Sequence, residues 1–219
     1  MEDALHILHL GVPLAEARVI CVFAHGRGQS PEAMQDGVIR HLSAPGVAYV
    51  LPRAPGGSWY AARAVDSLTH QSRDEVGRSM ALLRGVIASA MAQAPGVPLV
   101  VGGFSQGACL SLELAFTDGP WRGALVALTG CRVGVSSDTR PRHNLDGMVV
   151  YLTGSDADPW IPVQAFAEAA TDLGLSRARL RADVFPGRGH EAGLAEINVL
   201  NDVLCNLALG RTAILDPAS

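Results

Sequence analysis

A serine with a glycine two residues away on either side, Gly103-Phe104-Ser105-Gln106-Gly107, is the feature of this chain best suited to nucleophilic chemistry. An apolar stretch, Leu99-Val100-Val101, precedes it, and an apolar segment running to Phe116 follows. That context places Ser105 on a sharp strand-to-helix turn, a nucleophile elbow, where flanking side chains would collide with neighbouring backbone. The hydroxyl then stands above the sheet at the start of a helix whose dipole favours developing negative charge. In a chain with 24 glycines the bare pentapeptide arises by chance about one time in six, so the strand and helix around it carry the argument.

A serine nucleophile needs a base. Of the seven histidines only His143 and His190 lie beyond Ser105, and in a strand-elbow-helix arrangement the partners follow in the order serine, acid, histidine. His143 stands ahead of the last strand in Arg140-Pro141-Arg142-His143-Asn144 and reads as a solvated loop residue. His190 follows an apolar strand through Pro186-Gly187-Arg188-Gly189, a tight loop able to present the imidazole. For the acid, the loop after Val149-Val150-Tyr151-Leu152 offers both Asp156 and Asp158. One of them would hold the histidine tautomer, and the other would cap a turn through the Ser155 and Ala157 amides. Pro159 keeps Asp158 extended, which suits a side chain held out across a loop.

An oxyanion needs two backbone donors. The residue after the nucleophile, Gln106, supplies one, and the loop His25-Gly26-Arg27-Gly28 supplies the other through the Arg27 amide. The Arg27 side chain is expected at the pocket rim, where it would favour acyl groups bearing negative charge. His25 is expected to hold that loop. His6 and His9 point to opposite faces of a strand, and no histidine or cysteine has metal-ligand spacing, so no metal and no cofactor are expected.

The elements that must position these groups are legible as short Val-, Leu- and Ile-rich runs alternating with segments of helical period. Strands are predicted at Val19–Phe23, Val47–Leu51, Leu99–Val101, Ala124–Leu128, Val149–Leu152 and Arg179–Phe185, with an antiparallel edge strand over Leu5–Leu10. Helices are predicted after the Ser30-Pro31 cap, closing at Pro45-Gly46, and after a Ser72/Glu75 capping box with Val76, Met80, Leu83 and Ile87 buried. A last helix falls within Glu191–Leu209. Arg53 to Gln71 reads as a long loop, a frequent place for function. The fold class is α/β: a mostly parallel sheet covered by helices on both faces, with residues 1–219 forming one domain.

Composition narrows the chemistry further. All 17 basic residues are arginine, so a lysine Schiff base or P-loop lysine is excluded. A net charge of -4 argues against nucleic acid as a partner. Four scattered cysteines without a C-x-x-C pair, an acidic N-terminus without an apolar leader and the lack of a spanning segment together predict a cytoplasmic protein without integral membrane association.

His25-Gly26-Arg27-Gly28, Ser58-Trp59-Tyr60, Gly103-Phe104-Ser105-Gln106-Gly107-Ala108, Asp158-Pro159-Trp160-Ile161-Pro162 and Gly187-Arg188-Gly189-His190 together resemble the phospholipase/carboxylesterase family of α/β-hydrolases, which includes the acyl-protein thioesterases. The resemblance spans nearly the whole chain and implies Ser105, Asp158 and His190 as the triad, with the Arg27 and Gln106 amides as the oxyanion hole. Trp59, Tyr60 and Trp160 are implied at the acyl pocket. Trp160 replaces a histidine common in such motifs, and the loop from Pro55 to Val65 is short, so the substrate does not carry over. The expected function is hydrolysis of a small ester or thioester, and a homodimer is left open. The alternatives are a dienelactone-hydrolase-like enzyme, whose group usually carries a cysteine nucleophile, and a non-catalytic binding protein on the same scaffold.

Overall fold

The computed structural model describes residues 6–213 and 215. Seven strands form its sheet: β1 (Ile7–Gly11), β2 (Val19–Ala24), β3 (Val47–Pro52), β4 (Leu99–Phe104), β5 (Gly123–Leu128), β6 (Val149–Gly154) and β7 (Arg179–Val184). They lie in the order β1-β3-β2-β4-β5-β6-β7. β1 runs antiparallel to β3, with Ile7 opposite Pro52 and Gly11 opposite Ala48, and every other pairing is parallel. Parallel strands need crossovers: α1 (Pro31–Gly37), α2 (His70–Gln93), α3 (Gln106–Asp118) and α4 (Val163–Leu175) lie in four of them, β5 reaches β6 through the helix-free segment 129–148, and α5 (Leu194–Ala208) follows β7.

Side chains alternate across each strand, so one apolar run serves two cores. Ile20 and Val22 pack in the core that includes Leu83 of α2, Leu110 of α3 and Phe166 of α4, whereas Val19, Cys21 and Phe23 join Met34 of α1 and Leu200 of α5. Six of the seven strands match the predicted runs, β2 to β6 extended by one to three residues and β7 ending at Val184, one residue short of Phe185, and the edge strand begins at Ile7. Leu5, where that strand was predicted to start, and the rest of Met1–Leu5 lie outside the described residues.

Two helix boundaries differ from expectation. Ser30 caps α1 as predicted, accepting from the Ala33 amide at 3.3 Å, but the helix ends at Gly37 and gives way to a 3-10 turn at Ile39–His41. The start of α2 is capped by Thr69 and Ser72, not by Ser72 and Glu75. Thr69 Oγ1 accepts from the Ser72 amide at 3.1 Å, and Ser72 Oγ accepts from the Thr69 amide at 2.8 Å. Glu75 faces outward, accepting from the Ala61 amide at 2.8 Å. The buried stripe of α2 is accordingly rotated to Ser72, Val76, Ser79, Leu83, Val86 and Ala90. Among the described residues no helix is long and apolar enough to cross a membrane.

Candidate active site

At the end of β4 the backbone turns abruptly. Ser105 has φ 55° and ψ -119°, a conformation that costs on the order of 1–3 kcal/mol and persists only where the surroundings enforce it. Its amide donates to Leu128 O at 3.0 Å, and its carbonyl receives the Cys109 amide of α3 at 2.9 Å. The flanking glycines are required by approach distance. A Cβ on Gly107 would lie 2.2 Å from Ala24 O, and one on Gly103 would lie 2.7 Å from that oxygen and 2.5 Å from the Gly107 carbonyl carbon.

Three loops at the same end of the sheet converge on the serine. His190 Nε2 lies 2.7 Å from Ser105 Oγ, and His190 Nδ1 lies 2.7 Å from Asp158 Oδ2. Asp158 is itself oriented, since Oδ1 accepts the Trp160 amide at 2.7 Å and the Ile161 amide at 3.0 Å. Buried and fixed this way, its carboxylate has one free edge, and the imidazole occupies it. Asp156 departs from the turn-capping role expected of it. Its Oδ1 takes the Gly187 amide at 2.7 Å, bridging the β6 loop to the histidine loop, while Ser155 Oγ takes the Ala157 amide at 3.1 Å.

The histidine loop is anchored by groups that the sequence reading did not single out. Arg188 ion-pairs with Glu196, which is fully buried in the first turn of α5, and donates to Thr129 Oγ1 at 3.0 Å. The Thr153 hydroxyl also donates to Glu196, and Ser155 Oγ donates to the Arg188 carbonyl. An acid in phase with Ile197 and Leu200 on a buried helix face was the available signal, because a carboxylate there requires a partner.

His25 is buried and bridges the oxyanion loop to its neighbour. Nδ1–H donates to Gly26 O at 2.7 Å, and Nε2 accepts the Ala54 amide at 3.0 Å, which specifies the neutral tautomer. Burial lowers its pKa below the ordinary histidine value. Trp59 does not line the pocket, contrary to expectation. Its ring is buried, its Nε1–H donates to His25 O at 2.8 Å, and its amide donates to Gln106 Oε1 at 2.9 Å. Gln106 Nε2 donates to Tyr60 O at 2.7 Å, so this side chain clasps the 58–60 segment to the elbow.

Over Ser105 and His190 opens a cavity of about 280 Å³. Arg27, Tyr60, Gln106 and Trp160 line it; Phe104 at the end of β4, Cys109 of α3, and Gln29, Arg63, Ala64 and Ile161 from loops also line it, a convergence that no spacing rule reveals. Among the described residues the buried Tyr60 Oη has no hydrogen-bond partner, and burial raises its pKa well above the phenol range, so it stays neutral. Cys109 Sγ faces Cys131 Sγ at 3.8 Å. Among the described residues no group of three or more His, Cys, Asp or Glu side chains is arranged to hold a metal ion.

A family model described as phospholipase/carboxylesterase matches residues 13–206, almost the whole of this architecture. The chain belongs to the phospholipase/carboxylesterase family. It has the α/β-hydrolase fold, with a seven-stranded, mostly parallel sheet. A solved phospholipase/carboxylesterase from Dyadobacter fermentans DSM 18053 superposes with TM-score 0.81 at 28% identity, covering 92% of this chain and 96% of its own. A Zea mays acyl-protein thioesterase 2 superposes with TM-score 0.70 at 17% identity over 94% of this chain and 99% of its own, which shows the shared fold. A curated relative, "Putative esterase NocK" of Nocardia uniformis subsp. tsuyamanensis, is 26% identical over 165 residues, 74% of this chain. The match takes in 46% of that protein's length.

Proposed function

We propose that this phospholipase/carboxylesterase family member is a serine hydrolase that cleaves carboxylic esters or thioesters through an acyl-enzyme. The observation that carries the reading is the continuous Ser105–His190–Asp158 chain, with both hydrogen bonds at 2.7 Å. In this reading His190 Nε2 takes the Ser105 proton as Oγ attacks the substrate carbonyl, then passes it to the leaving alcohol or thiol. Water enters by the same route in reverse and releases the acid. Asp158 holds the Nδ1–H tautomer and stabilises the imidazolium.

The tetrahedral oxyanion is assigned to the Arg27 and Gln106 amides. Among the described residues neither N–H donates to a protein acceptor, and both residues line the cavity beside Ser105. Tyr60 and Trp160 contribute wall surface to the substrate. Every strand belongs to one sheet, which supports reading the chain as one catalytic domain. The dienelactone-hydrolase-like alternative lacks support, because Cys109 addresses Cys131 and His190 addresses Ser105.

A fluorophosphonate probe, with the adduct located by peptide mapping, tests the reading. A single adduct on Ser105, absent in Ser105→Ala together with at least about a thousandfold of the activity on p-nitrophenyl esters, is the expected result. Labelling elsewhere, or a variant retaining a tenth of wild-type turnover, overturns it.

A further inference from the structure

We propose that the cavity selects esters that carry a carboxylate, held by the guanidinium groups of Arg27 and Arg63; this rests on the serine-hydrolase reading above. The chain has 21 acidic residues against 17 basic ones, yet among the described residues the cavity is lined by two arginines and by no aspartate or glutamate. Among the described residues neither arginine has a carboxylate within ion-pair distance.

Arg27 is held in place by neutral groups. Nη1 donates to Ala61 O at 2.8 Å, Nη2 donates to Ala62 O, and the guanidinium lies 5.9 Å from the centre of the Tyr60 ring. Carbonyl oxygens and a ring face orient a cation without cancelling its charge. Five N–H donors are present on a guanidinium and the two carbonyls engage only part of them, so donors remain for a ligand. Glu75, whose carboxylate feels the Arg27 charge, is engaged by the Ala61 amide and Gln71 Nε2 and does not line the cavity.

Arg63 is exposed, and it is placed by its backbone: its amide donates to Asp66 Oδ2 at 2.9 Å, leaving the guanidinium with no recorded partner among the described residues. An ordinary solvated rim arginine is the competing role for each. Two cations without an ion-pair partner among the described residues, on one cavity of about 280 Å³, instead make a site for a second anionic group within reach of Ser105. Half-esters of small dicarboxylic acids fit this chemistry, as do esters of carboxylated alcohols.

The test compares kcat/KM for charged and neutral partners. p-Nitrophenyl hemisuccinate is set against p-nitrophenyl 4-methylpentanoate for charge on the acyl side, and 4-acetoxybenzoate against its methyl ester for charge on the leaving side. Intrinsic reactivity cancels when each charged-to-neutral ratio is compared between wild type and variants. Arg63→Gln is expected to lower the ratio several-fold on one arm and Arg63→Glu about tenfold, with the wild-type preference falling as salt rises. Arg27→Gln, whose amide can still donate to a loop carbonyl, is expected to lower the same ratio. A second measurement is independent of turnover: succinate should raise the Tm of Ser105→Ala, and less so once Arg63→Glu is added. Ratios within twofold of wild type on both arms in all three variants, or a succinate effect indifferent to Arg63, overturn the proposal. Stabilisation by succinate without turnover of any ester would instead remove the hydrolase reading and leave the anion site standing.

Discussion

Glu196, buried at the start of α5, is ion-paired with Arg188, two residues ahead of His190 in the chain. The imidazole therefore depends on a charge pair that never touches the reacting atoms. Removing one member of a buried pair leaves an uncompensated charge, at a cost of about 3–5 kcal/mol, whereas removing both is far cheaper.

Arg188→Met is thus expected to lower Tm more than Arg188→Met combined with Glu196→Gln. The coupling in a double-mutant cycle should exceed about 1 kcal/mol. Arg188→Met should also reduce kcat more than KM changes, because the loop that presents His190 loses its anchor. Additive stability effects with unchanged kcat would show the pair to be incidental to the site.

Asp158 and Asp156 should separate by kind of effect. Asp158→Asn leaves the imidazole in the wrong tautomer, and turnover should fall by about four orders of magnitude with little change in Tm. Asp156→Asn weakens one bridge to the Gly187 amide, and about 1 kcal/mol of stability is expected to go while turnover stays within about tenfold. Turnover and melting measured on both proteins check the assignment, and a reversed pattern would exchange the two roles.

Gln106 acts twice in this scheme, through its amide at the oxyanion and through its side chain on the 58–60 segment. Gln106→Leu keeps the amide but leaves the Trp59 amide without its acceptor, and the Tyr60 carbonyl keeps only the Ser58 hydroxyl at 3.0 Å. One buried orphan costs about 1–3 kcal/mol. With about 2–4 °C of Tm per kcal/mol for a chain of this size, thermal melting should show a drop of several degrees. A Tm within 1 °C or so of wild type would mean that the segment is held by other contacts.

The buried neutral His25 gives the fold an acid limit. Its folded pKa lies below the unfolded value of about 6.5, so between the two the unfolded chain binds more protons. Stability from this group is present in full above the unfolded pKa and is lost as pH falls through the folded one. Wild-type Tm followed from pH 7.5 down to 5 should fall more steeply than that of His25→Gln. Parallel curves would show that the His25 proton is not part of the acid limit.

The parallel strands, the sharp turn at Ser105 and the loops that carry Asp158 and His190 were all legible in the sequence, because each rests on local chemistry. An apolar run reads as a buried strand, and glycines two residues either side of Ser105 read as a turn that tolerates no Cβ. Pro159 likewise marked Asp158 by its effect on one backbone bond. Tertiary structure decided what no neighbour in sequence could: that Asp156 reaches Gly187, that Trp59 turns inward to His25, and that Glu196 holds Arg188. It also set two arginines around a cavity that, among the described residues, no acid lines. Such contacts depend on how separate loops close over the end of the sheet. Spacing along the chain records the length of those loops and not the direction in which their side chains finally point.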